Sequence, residues 1–285
     1  MATANPSEVV AGLVVPGSLE QVPKLTRYQL REYLRSLRFV ALVGIVLAIG
    51  AILTAVVAHF RGSLVTHPLA FYGTFWGSGV DIVIVLAAVF FGGDAIAGEF
   101  QNKTGYFLMG LPVRRATVYM GKFVAAYLAS VAMVLLFLVI LVGNGAYYFG
   151  PGLFPWQLGL SLVLALVYLA AVLGATFLFS SLFKTSAYGF VLTAILFLFG
   201  FTLLQELVAG LVQVEPWMVI SYAESTIGAV FSSTANWGFQ GTLVTSPFGG
   251  TTYSAGIGEG IAIMIGYFIA TALAGLLLFE REEFA

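Results

Sequence analysis

Five apolar runs, each about 20 residues long and free of charge, constrain this chain more than any other feature. They cover residues 39–58, 123–142, 158–183, 185–205 and 260–279. A sixth, residues 76–97, carries Asp81 and Asp94 but is otherwise apolar. At 1.5 Å per residue, such a run is long enough as a helix to cross the roughly 30 Å hydrocarbon core of a bilayer. The continuous runs lack the alternation of a membrane barrel strand, so helices are expected. Composition agrees: 60% of residues are hydrophobic and 9% charged, against about 25% charged in soluble domains. A soluble fold could not cover that much apolar surface, and a disordered chain would be more polar. The expected fold is an all-α integral membrane protein with six transmembrane helices.

Lys and Arg orient such a bundle, because they are retained on the cytoplasmic side. Lys24, Arg27, Arg31, Arg35 and Arg38 precede the first span. Lys103, Arg114, Arg115 and Lys122 lie between spans two and three, Lys184 between four and five, and Arg281 after six. Arg61 alone falls on the other side. Both termini are therefore expected in the cytoplasm of a multi-pass cell-membrane protein. Residues 1–23 read as a tail, 39–279 as the membrane domain and 280–285 as a second short tail.

Residues 24–38 predict an amphipathic helix lying in the cytoplasmic interface. At about 100° per residue, Arg27, Arg31, Arg35 and Arg38 share one sector, with Leu30, Tyr33, Leu34 and Leu37 beside them. The basic side suits anionic lipid head groups. Residues 213–258 form the longest external connection, rich in Gly, Ser and Thr and without Lys or Arg. Residues 216–231 within it suit helical pieces, which either cap the bundle or dip back into protein-lined space.

The chemistry available to the chain is narrow. Cysteine is absent and histidine occurs twice, as His59 and His67, which excludes thiolate chemistry and disfavours metal sites. A phosphate cradle of the form G-x-x-x-x-G-K-[ST] is missing: Asn102 precedes Lys103, and Phe123 follows Lys122. No catalytic residue, cofactor site or metal site is expected. A net charge of −1 gives no reason to expect a nucleic-acid partner.

Polar residues concentrate between spans two and three. The segment reads Asp94-Ala-Ile-Ala-Gly98-Glu99, then Lys103-Thr104-Gly105, Leu111-Pro112-Val113-Arg114-Arg115 and Gly121-Lys122. Pro112 ends one element, because its ring blocks a continuing helix. A short rigid element between two spans, here residues 98–115, is what a membrane domain needs to receive force from a cytoplasmic motor. This segment resembles the signature of type 2 ABC transporter permeases: an acid ending span two, Gly-Thr, a hydrophobic stretch, Pro, Arg, and a Lys opening span three. Glu99, Thr104, Pro112, Arg115 and Lys122 occupy those places, and Asp94 joins them. Lys103 and Arg114 depart from the pattern, standing where glycine and a small polar residue are common. The resemblance implies a half-transporter that exports its substrate. Its partners would be a pair of separate ABC ATPase subunits, which bind ATP and Mg, and a second permease copy or paralogue. Asp94, Glu99, Thr104, Pro112, Arg115 and Lys122 would then couple it to the ATPase.

Asp81 and Glu206 are the candidate pathway acids, because an intramembrane carboxyl is costly and functional by default. Both are expected toward the outer side. Asp81 and Asp94 stand roughly 220° apart around a helix, which argues against a paired relay. The alternative function is an ion- or proton-coupled secondary carrier or channel, which calls for acids or broken helices near the midplane.

Overall fold

A computed structural model describes residues 18–101, 114–152, 154–183, 185–232, 235–245 and 251–281. Six helical spans run through it: Leu37–His59, Pro68–Glu99, Arg115–Phe149, Trp156–Leu182, Ser186–Val212 and Ile257–Arg281. Six crossings bring the start of span one and the end of span six to the same end of the bundle, called proximal here. Spans two and four form the core, with 72% and 61% of their most apolar stretches buried. Spans five and six, at 17% and 11%, turn apolar surface outward. That surface suits lipid, since no hydrophobic drive separates Leu from lipid tails. The multi-pass membrane protein expected from the sequence is therefore present.

Span ends depart from the apolar runs for local reasons. Span two starts at Pro68, which is pre-organised for the first helical turn. It breaks at Ser78 and Gly79 between the helices Pro68–Gly77 and Val80–Gly92, then turns into the short helix Ala97–Gln101. Span three starts at Arg115, so Lys122 lies two turns inside it. Span five continues past Glu206 to Val212 through two π-helical turns, Leu196–Gly200 and Val208–Val212.

Close helix contact follows small side chains. Spans four and six are in extended contact; a Cβ on Gly174 would stand 2.6 Å from Thr271 Oγ1, and one on Gly275 3.2 Å from the Leu178 Cα. On span one, Gly50 serves the same purpose against Ile140, whereas Gly44 faces open space.

A leading helix, Ser18–Arg35, lies against span three. Thr26 Oγ1 donates to the Gly121 carbonyl at 3.2 Å. Lys24, Arg27, Arg31 and Arg35 are exposed. Ser36 ends this helix and caps span one, its Oγ accepting from Phe39 N at 3.2 Å. Arg38 thus belongs to the first turn of span one. Between spans five and six, the short helices Ile220–Glu224 and Thr226–Ala229 are buried against spans four, five and six. Beyond them, strands Thr242–Thr245 and Thr251–Ser254 pair antiparallel, with Thr242 opposite Ser254.

Candidate functional site

The proximal end of span two is tied to every neighbouring element. Lys122 is 9% exposed, yet charged groups are satisfied around it. Its Nζ lies 2.5 Å from Glu99 Oε1 and donates to the Ala95 carbonyl at 2.9 Å. The pair lets a lysine sit inside span three, where an unpaired ammonium would be expelled. Arg38 pairs with Asp94, bridging spans one and two. Arg38 is 56% exposed at its side chain, so Arg38→Ala is expected to cost under about 1 kcal/mol in a denaturation measurement.

Hydrogen bonds complete the joint. Tyr33 of the leading helix donates to the Phe91 carbonyl at 2.9 Å. Burial, and then the Asp94 carboxylate, push its hydroxyl pKa up, so it stays a neutral donor. Ser180 of span four is fully buried and its Oγ accepts from Ile96 N at 3.1 Å and Ala97 N at 3.0 Å. Those are the orphan amides at the start of the helix Ala97–Gln101. Gln101 Oε1 accepts from Ser186 N and Oγ at the start of span five. Arg115 donates to the Glu280 carbonyl at 2.9 Å, joining spans three and six. A cavity of about 540 Å³ opens between the leading helix and this joint, reached by Glu32, Arg38, Asp94, Glu99 and Lys122.

Asp94, Glu99 and Lys122 therefore meet within one joint and Arg115 ties span three to span six, while Thr104 and Pro112 lie outside the described residues. Sequence reasoning did not find Tyr33, Ser180 or Gln101. A lone serine in an apolar span and a tyrosine on a basic helix carry no signal until their long-range partners are known.

The two candidate pathway acids sit elsewhere. Glu206 is half-buried on span five. Asp81 lies on span two with one oxygen, Oδ1, buried and without a hydrogen-bond partner among the described residues. Its electrostatic neighbours are Glu224 of the inserted helix and Tyr168 of span four. Asp81 stands in the middle third of the span Pro68–Glu99 rather than near its start, and Glu224 was not anticipated as its companion. Among the described residues, no cluster of His, Cys, Asp or Glu is arranged to hold a metal.

A family model described as ABC-2 family transporter protein matches residues 34–200, which include spans one to four, the start of span five and, of the proximal joint, Arg38, Asp94, Glu99, Lys122 and Ser180. No curated protein matches the chain. The match covers more than half of the sequence, and the chain belongs to the ABC-2 transporter family, whose members are membrane-spanning permeases.

Proposed function

We propose that this chain is the non-catalytic membrane half of an ATP-driven exporter, powered by a separate pair of ABC ATPase subunits. The observation that carries this reading is the joint itself. The helix Ala97–Gln101 is short, starts on Ser180, and is linked through Glu99 and Lys122 to span three. A push on residues 98–115 would reach spans two to six through rigid contacts rather than through a flexible loop. The proximal end is read as cytoplasmic, because eleven of the twelve Lys and Arg residues lie toward it. Thr104 and Pro112 complete the docking element in this reading. The leading helix would float its exposed Lys24, Arg27, Arg31 and Arg35 on anionic head groups. A second copy or a paralogue would complete the pathway, and the resemblance of the span two to three segment to export permeases favours outward movement.

The test is affinity purification of the chain from its native membrane with ATPase activity measured in the eluate. Co-purification of a P-loop ATPase, reduced at least tenfold (about 1.4 kcal/mol) by Arg115→Glu, is the result expected. A chain that purifies without an ATPase under gentle detergent conditions contradicts the reading and favours the carrier or channel.

A further inference from the structure

The cavity between the leading helix and the proximal joint measures about 540 Å³, within the roughly 300–1,000 Å³ range of small-ligand sites. Three acids line it, Glu32, Asp94 and Glu99, against two bases, Arg38 and Lys122. Asp94 pairs with Arg38, and Glu99 with Lys122. Glu32 is the charge left over. It makes no ion pair among the described residues. One hydrogen bond reaches it, from Gln29 Nε2 at 2.9 Å.

A second recess, of about 560 Å³, adjoins the first: Tyr28, Glu32 and Ser36 line both. Its remaining walls are Arg31 and Arg35 of the leading helix, which stand to either side of Glu32 in the chain. Neither arginine is ion-paired among the described residues. The surplus charge therefore changes sign over a short distance, from an acid on the shared wall to two guanidiniums outside it. Span one begins beside this mouth, just after Ser36, and it carries an apolar lane into the bilayer. Val40 and Leu47 are 62% and 48% exposed, and a Cβ on Gly44 between them would meet nothing within 4 Å. Residues at this helical spacing share one face.

We propose that the two recesses hold the headgroup of one phospholipid that bears a primary amine, of the phosphatidylethanolamine type. Its ammonium donates to Glu32, its phosphate rests on Arg31 and Arg35, and an acyl chain follows the lane on span one. An ammonium has three N–H donors to offer a carboxylate. A guanidinium presents paired donors that match phosphate oxygens. A choline headgroup has no N–H for Glu32, and a glycerol headgroup brings no cation to it. A free phosphorylated amine would fill the recesses but leave the lane on span one bare. The bound lipid joins the leading helix to span one beside the Arg38–Asp94 pair, so membrane composition bears on how firmly that helix sits at the joint. The site extends the interfacial reading of the leading helix and requires no ATPase.

Native mass spectrometry of the full-length chain, released from detergent containing phospholipids of matched acyl chains, tests this. One phosphatidylethanolamine per chain is expected to stay bound, about tenfold tighter than phosphatidylcholine or phosphatidylglycerol. Glu32→Gln should cancel that preference by weakening phosphatidylethanolamine alone. Arg31→Gln/Arg35→Gln should weaken all three lipids alike, since all three carry the phosphate. These side chains are exposed, so both variants should keep the denaturation midpoint of the parent chain. Phosphoethanolamine without acyl chains should not compete at equal concentration. If it competes as well as the lipid does, the ligand is a free phosphorylated amine and the lipid assignment falls. Equal retention of the three lipids, tighter binding of phosphatidylglycerol, or a phosphatidylethanolamine preference that survives Glu32→Gln overturns the site. No ATPase takes part, so failure here is separable from failure of the coupling reading.

Discussion

Lys122→Met is expected to destabilise the folded chain by about 3–5 kcal/mol, because it removes the ammonium that neutralises the mostly buried Glu99 carboxylate. The two side chains are only 11% and 17% exposed. Neither charge recovers much hydration when its partner is removed. Glu99→Gln strands the lysine in the same way, although the Ala95 carbonyl at 2.9 Å still accepts one of its three protons. The double variant Lys122→Met/Glu99→Gln removes both charges and should recover most of the loss, since a neutral pair replaces a buried ion pair at little cost. Fluorescence-monitored denaturation of the purified chain measures all three. Equal loss in the single and double variants would mean that packing around Lys122, and not its charge, holds the joint. The double variant also separates folding from coupling: it should fold, yet transmit ATPase-driven movement poorly if the charged link is what stiffens the joint.

Ser180→Ala is expected to cost about 2–6 kcal/mol, from two buried backbone N–H groups left without an acceptor at about 1–3 kcal/mol each. The side chain is fully buried and its oxygen serves both Ile96 and Ala97, so water cannot easily substitute. The methyl group of alanine fits the space, which confines the effect to the lost acceptor. Hydrogen exchange read by mass spectrometry should quicken at residues 96–101 while the middle of span four stays protected. Unchanged exchange there would show that the short helix Ala97–Gln101 does not depend on its anchor.

What could be read in advance divides along the range of the forces involved. Apolar runs show the spans, because crossing a bilayer is a local demand on some 20 residues. Their ends are less legible, because neutralisation by distant partners decides them. Lys122 reads as an interfacial charge, yet pairing with Glu99 across the intervening segment lets the helix begin at Arg115. Glu206 reads as a stop, yet span five runs on to Val212. Glu224 gave no hint of its direction: it stands in a polar connection, and only the hydrogen bonds from Ser161 Oγ to the Ile227 carbonyl and from Ser221 Oγ to the Phe201 carbonyl carry it inward. Asp81 falls inside span two rather than near its end because that span begins at Pro68, ahead of the apolar run that starts at residue 76. The strands Thr242–Thr245 and Thr251–Ser254 were hidden by a Gly, Ser and Thr composition that reads as loop, although Thr, Val and Tyr favour strands. The letters of the proximal motif were visible as a resemblance; that Asp94, Glu99, Arg115 and Lys122 each close onto a different neighbour was not.

Because the chain has no cysteine, one introduced thiol can report where the ATPase docks. Arg114→Cys places it at the exposed start of span three, and Trp237→Cys at an exposed position in the connection between spans five and six. With the ATPase co-purified and a short bifunctional cross-linker added, Arg114→Cys should join the two chains with a yield that changes on ATP addition, and Trp237→Cys should not. Cross-linking from Trp237→Cys, or none from Arg114→Cys despite a bound ATPase, would contradict coupling through the proximal end of span two.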